Sequence, residues 1–301
     1  MSNDLNGVIM LEYIRDNLTD EYGILPLQDS ILRIAVYIDQ LCQANQINYC
    51  LMGGSALGAV RHGGFIPWDD DLDIFMKPED FDKFRRVFEE TGDHETFYLQ
   101  QLFYRVGMVA SAKLRLNGTT YLEEAIKDWK IHHGIFVDIF ILHPCPKGRV
   151  KQFCQCMAAK YILAMGQSYK NHRYTGIRRF VTAVLRLLPR EFGVYRALKL
   201  VYRYDHKPTP YLCHFMGKAF FKRGIYPSTL FRAYQRHPFE KSALMLSADT
   251  PAYLKELFGN YMVLPPKSSI KHAQHAWLWD TERDYSYYVG ENDKSQEKDL
   301  V

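Results

Sequence analysis

The chain of 301 residues predicts an α/β (α+β) fold: a mixed sheet flanked by helices, with a basic helical insertion. Three observations predict it. Helical and strand periodicities alternate from residue 27 to Leu142. The character changes after Pro146, where positive charge accumulates. From Lys147 to Lys207 there are 14 basic and 2 acidic residues, against a net charge of only +4 for the whole chain.

The elements follow in order. Residues 27–45 carry Leu27, Ile31, Ile34, Ile38, Leu41 and Cys42 at helical spacing, a core-facing helix. Asn48–Met52 reads as a short strand, and Gly53-Gly54-Ser55 turns the chain into a short helix. Leu72–Met76 reads as a second strand ended by Pro78, and the helix after it shows Phe81, Phe84 and Phe88 on one face. Phe97–Leu102 and Val109–Leu116 read as further strands, with Asn117-Gly118 as a turn before Thr119–Tyr121. Gly134–Leu142 is a β-prone run stopped by Pro144 and Pro146. Residues 147–207 read as basic helices, in which Phe180, Val181, Val184, Leu185 and Leu188 form a stripe among arginines. A helix is expected at Pro251–Tyr261, closed by Pro265-Pro266. The expected division is a catalytic core at 1–146, a basic helical segment at 147–214, a part completing the core at 215–285, and a disordered tail at 286–301.

Bulk properties narrow the class. A chain 47% hydrophobic and 24% charged can bury a core and is not wholesale disordered. The six cysteines form no paired framework, and Cys154-Gln155-Cys156 is too tight for ordinary zinc spacing, so free thiols are expected. Met1–Tyr13 lacks the apolar core of a secretory signal, and no window approaches a spanning helix. These features point to a cytoplasmic protein. The basic segment allows peripheral contact with the inner face of a membrane, direct contact with a phosphate-rich acceptor, or simple packing on the acidic remainder. No nucleic-acid motif is present, and no nucleic-acid partner is expected.

The chemistry concentrates in Gly53-Gly54-Ser55 and in Asp69, Asp70, Asp71 and Asp73. Alternation along a strand places Asp71 and Asp73 on one face. Two close carboxylates repel unless a cation sits between them, and hard oxygen ligands favour Mg²⁺ or Mn²⁺. Glycines permit close approach of a phosphate, and a helix start at Ser55 offers N–H groups to it. Asp138, the lone carboxylate in an apolar run, is the third acid, because a charge there is costly without a partner or metal. Asp69 and Asp70, taken alone, look equally like a solvated turn.

The run Leu51–Ile74, LMGGSALGAVRHGGFIPWDDDLDI, resembles the signature of the LicD family, to which fukutin-type proteins are related. His133–Phe140 resembles the family's second motif, and Phe258–Pro266 followed by His272 its third, with Phe258 where tyrosine is common. The motifs stand in the expected order across roughly residues 27–280. The resemblance implies a nucleotidyltransferase fold and a transferase of phospho-alcohols. The donor would be a CDP-linked small alcohol, CDP-choline foremost. The acceptor would be a hydroxyl of a cell-surface glycan, teichoic acid precursor, lipopolysaccharide or lipid-linked oligosaccharide. Asp71, Asp73 and Asp138 would hold Mg²⁺ or Mn²⁺, with Asp138 as the general base, while Gly53, Gly54 and Ser55 would hold the donor phosphates. Ribitol or glycerol phosphate transfer, and transfer of a nucleoside monophosphate, are the alternatives.

Further substrate-binding candidates are weaker. Arg61 and His62, two turns into the helix, suit a diphosphate clamp or a plain surface pair. Lys113 alternates with Ser111 and Arg115 on one strand face and suits either the active site or solvent. Trp68, Tyr121 and Trp129 suit a cage for a cationic alcohol, or the core. His132-His133 cannot share an ion on a strand, and His272 and His275 have no assigned role.

Overall fold

The computed structural model describes residues 20–101, 111–168, 190–215, 217, 224–266 and 274–289. The first helix, α1 (Leu25–Ala44), opens with Pro26 in its first turn, where a missing N–H costs nothing. It buries Leu27, Ile31, Ile34, Ile38 and Cys42, the row expected from spacing. The next four elements are β1 (Cys50–Leu51), α2 (Gly53–His62), β2 (Asp73–Met76) and α3 (Pro78–Thr91). Helix α3 buries Phe81, Phe84 and Phe88 as its period requires. Then come β3 (Phe97–Gln100), β4 (Ala112–Leu116), β5 (Thr120–Leu122), β6 (Phe136–Ile141) and β7 (His143–Cys145).

The central sheet has the order β1-β2-β6-β4-β3. It is mixed: β2 and β6 run parallel, and the other pairs are antiparallel. Asn117-Gly118 does turn the chain, with Gly118 at φ 73°, but it closes no hairpin. Strand β4 has neighbours β3 and β6 on its two edges, so β5 leaves the sheet and pairs with β12 (Leu278–Asp280). The β-prone run at 134–142 likewise ends at Ile141, and Leu142 leads into β7 of a different sheet. Of the expected strands at 97–102 and 109–116, residues 102–110 lie outside the described residues.

Beyond Pro146 the chain forms α4 (Arg149–Ser168) and α5 (Arg190–Val201). The arginine-flanked stripe at 180–188 lies outside the described residues. Strands β8 (Tyr211–Cys213) and β9 (Ile225–Pro227) join β7 in a three-stranded sheet. The hairpin β10 (Tyr234–Phe239) and β11 (Ser242–Ser247) leads to α6 (Thr250–Phe258). Helix α6 ends at Gly259, φ 70°, rather than at the Pro265-Pro266 pair. Residues 286–289, assigned to the tail by composition, form a short last helix, α7 (Ser286–Val289). All six cysteines are free.

Two cores result. The larger gathers α1, the central sheet, α2, α3, the β10–β11 hairpin and α6. The smaller, of Cys145, Cys156, Ala159, Ile162, Ala197, Val201, Cys213 and Phe215, lies under α4 and α5.

Candidate active site

The site is assembled by sheet register. Asp73 on β2 stands opposite Asp138 on β6, and Asp138 stands opposite Lys113 on β4. Partners in register on neighbouring strands point to the same face, about 5 Å apart. Asp73, Asp138 and Lys113 therefore form one row across three strands. The Lys113 Nζ lies 2.8 and 3.0 Å from the two oxygens of Asp138. It also sits 3.4 Å from the centroid of the Phe136 ring. Ser111 Oγ donates to Asp138 Oδ1 at 2.5 Å. Ser111 and Lys113 thus share the face expected of them, and that face is the site, not solvent. Arg115, further along β4, is fully buried, donating to Gln100 and to the carbonyl of Gly134.

Asp71 departs from expectation. Strand β2 begins at Asp73, so Asp71 lies in the segment before it and not on a shared strand face. The two still act on each other. Burial raises Asp73 well above the usual carboxylate range, and the charges of Asp71, Asp138 and Asp69 raise it further. Asp71 is pushed up to about 6 by burial, with His275 opposing and Asp70 and Asp138 adding. Asp69 is raised by burial and by Asp71 and Asp70. Asp70 is different: despite burial it is held low by His275 and the backbone N–H groups of Ala276 and His275. Those contacts are 3.1 Å from His275 Nδ1, 2.7 Å from its N–H and 2.9 Å from that of Ala276. Asp70 is a buried anchor for the C-terminal segment rather than a solvated turn residue. His275 Nδ1 also lies 3.4 Å from Asp71 Oδ2, so it joins the site from 200 residues away.

The glycine turn is shaped by the acids. Gly53 has φ 53°, a left-handed start that glycine takes without strain, and its N–H donates to the Tyr253 hydroxyl at 3.0 Å. A Cβ on Gly54 would lie 2.9 Å from Asp69 Oδ2, so Gly54 makes room for that carboxylate. Ser55 Oγ accepts the Asp73 N–H at 2.8 Å and ties α2 to β2. Gln28 of α1 donates to the carbonyls of Asp69 and Ile66 at 2.7 and 3.3 Å, closing the acidic loop from behind.

Other candidates scatter. Arg61 and His62 are buried on the last turn of α2. Arg61 donates to His62 Nε2 at 3.0 Å and to the Tyr261 carbonyl at 2.9 Å, joining the first motif to the third. Burial and the Arg61 charge lower His62 to about 4, so it is neutral near pH 7. Trp68 packs edge-on to Tyr22 and His62, and Tyr121 against Phe136. Among the described residues, no ring contact joins Trp68, Tyr121 and Trp129 into a cage. His132 stacks on Tyr98 and bonds Asn117. His272 lies outside the described residues.

A divalent cation fits this chemistry. Asp71 and Asp73 are hard oxygen donors whose protonation is favoured by burial and by the charges of neighbouring carboxylates, which a cation between them would reverse. Asp138 fits less directly, because Lys113 and Ser111 already occupy its oxygens. Among the described residues, no three His, Cys, Asp or Glu side chains stand in ready ligating geometry.

Residues 46–147 match the family model for LicD/FKTN/FKRP, nucleotidyltransferase domain. The chain carries a LicD-family domain. That domain contains Gly53, Gly54, Ser55, Asp71, Asp73, Lys113 and Asp138, whereas His275 lies outside it. The chain is also 24% identical over 264 residues to the lipopolysaccharide cholinephosphotransferase LicD of Haemophilus influenzae, covering 82% of this chain and 95% of that protein. It is 48% identical over 46 residues to the ribitol 5-phosphate transferases FKRP of mouse and human, 9% of their length. The likeness to LicD extends well beyond the LicD-family domain, whereas the FKRP likeness is local.

Proposed function

We propose that this protein transfers a phospho-alcohol, phosphocholine foremost, from a CDP-linked donor to a hydroxyl of a cell-surface glycan. The observation that carries the reading is the Asp73–Asp138–Lys113 row with Asp71 beside it, in a chain whose likeness to LicD covers 82% of its length. Asp71 and Asp73 would hold Mg²⁺ or Mn²⁺, which when bound neutralises charge on the donor diphosphate. The N-terminal turn of α2, opened by Gly53, would offer its remaining N–H groups to phosphate oxygens. Asp138, held by Lys113 and Ser111, takes the proton of the acceptor hydroxyl. The acceptor oxygen forms the new bond to phosphorus as the bond to the bridging oxygen breaks and CMP leaves. Lys113 meets negative charge that develops beside Asp138.

The domain division follows the same reading: catalytic core at 1–146, completed by 215–285, with 147–214 as a separate basic unit.

The test is a melting series of the full chain with CDP-choline, CDP-ribitol, CDP-glycerol, CMP, ATP and UTP, with and without Mg²⁺, followed by CMP release. A hundredfold excess over Kd stabilises by about 2.7 kcal/mol. A Mg²⁺-dependent shift with one CDP-alcohol, absent in Asp71→Asn, is expected. A shift with ATP or UTP alone would replace phospho-alcohol transfer by nucleotidyl transfer.

A further inference from the structure

We propose that the outer face of the α4–α5 hairpin is a docking surface for an anionic lipid bilayer. The two helices run antiparallel. Gln155 near the start of α4 donates to the carbonyl of Val201 at the end of α5, at 3.0 Å. Near the other end, a Cβ on Gly193 would lie 2.3 Å from the Tyr161 hydroxyl. Their inner faces meet in the small core of Cys156, Ala159, Ile162, Ala197 and Val201.

Their outer faces are apolar as well. On α4, Val150, Phe153 and Met157 recur at helical spacing and are exposed, Val150 to 75%. On α5, Phe192 and Tyr195 are 61% and 54% exposed. Tyr161, one turn beyond Met157, meets Gly193 beside Phe192, so the two rows adjoin. Cations stand among them: the Arg196 guanidinium lies 4.5 Å from the Phe192 ring centroid, and Lys199 Nζ 4.4 Å from that of Tyr195. Lys147 precedes α4, and Arg149 and Lys151 lie in its first turn. Of the two acids in 147–207, Glu191 and Asp205, the latter pairs with His143 at 2.9 Å.

Charge and apolarity together select the occupant. A second copy would set one strongly basic face against another. A polyanion in water would match the cations and leave Val150, Met157 and Phe192 uncovered. A bilayer with anionic headgroups over an acyl layer matches both. No helix among the described residues is long and apolar enough to cross a membrane, so the contact lies along the surface. Docking needs neither donor nor acceptor, so its failure and that of the transfer reaction are separable.

The full chain is sedimented with vesicles of phosphatidylcholine, with and without phosphatidylglycerol, at rising salt. Binding to the anionic vesicles that salt weakens is expected. Phe192→Ser with Tyr195→Ser should weaken it about tenfold or more, and Arg196→Glu with Lys199→Glu about as much, at unchanged Tm. Equal binding to neutral vesicles, or wild-type binding by either double variant, overturns the proposal. So does a wild-type dimer that these variants turn monomeric without vesicle binding, or heparin binding in a protein that ignores vesicles.

Discussion

In the central sheet the charged groups of Asp73, Asp138 and Lys113 lie in one largely enclosed row, whereas in the α4–α5 hairpin the apolar groups of Val150, Phe192 and Tyr195 lie outermost. Each region inverts the usual rule on one side of its structure. The sheet can hold charge inside because register supplies Lys113 for Asp138, and beside it the loop before β2 buries Asp70 against two backbone N–H groups and the His275 ring of the C-terminal segment. The hairpin can hold apolar groups outside because its small core is already closed by the inner faces. Inverted polarity inside a scaffold marks chemistry, and inverted polarity on a surface marks contact.

The largest effect should come from the sheet. Asp73→Asn should lower turnover by about a thousandfold or more, since on the proposed function it removes a carboxylate that would hold the cation. Its metal-free Tm should stay level or rise, because the wild-type carboxylate is strained by its neighbours. Turnover near wild type in folded protein would break the contrast.

Next is Lys113→Met, which leaves Asp138 with only Ser111. Urea unfolding should show a loss of about 3–5 kcal/mol. Adding Asp138→Asn should recover much of it without recovering activity. A loss under about 1 kcal/mol would mean the pair is solvated.

The acids set a pH dependence of definite sign. Asp71 folds with its pKa raised to about 6, above its unfolded value. The folded state therefore binds more protons, and metal-free stability should fall as pH rises from about 4 through 6, by about 3 kcal/mol at most. Mg²⁺ held as proposed would favour the ionised form, so the stabilisation it gives should grow across the same window. Melting curves with chelator and with Mg²⁺ measure both, and a metal-free Tm that climbs over this range would contradict the crowding of the acids.

Gly54→Ala sets a methyl group 2.9 Å from Asp69 Oδ2. A cost of about 1–3 kcal/mol is expected, with turnover reduced as the acidic loop shifts. The smallest effect belongs to the hairpin surface: Phe192→Ser should change stability by no more than about 0.5 kcal/mol. Val201→Ala, in the small core beneath, should cost about 2 kcal/mol or more. Similar costs for both would mean that the outer face is covered.

Local pattern made much of this legible. Helices α1 and α3 show their buried rows as periodicity, and Gly53-Gly54-Ser55 and the acidic cluster after it stand out as runs of residue type. The exact strand limits were not legible, since ladders stop where partners stop. Asn117-Gly118 reads as a hairpin turn, yet both edges of β4 are already taken. Asp70 and Asp71 stand side by side in sequence with opposite shifts, because only Asp70 is met by the N–H groups of His275 and Ala276. His275 itself carries no local signal. Tyr253 and Gln28, which brace the glycine turn and the acidic loop, look from sequence like ordinary helix residues.

The sequence by itself determined the alternation of elements, the acids and the glycine turn, and the basic stretch from Lys147 to Lys207, because each is a property of neighbouring residues. The tertiary structure alone decided which acids share a row, that Lys113 faces Asp138, that His275 closes on Asp70 and Asp71, and which hairpin face stays uncovered. Those are matters of register and packing, set by hydrogen bonds and burial between segments up to 200 residues apart, and no local pattern records them.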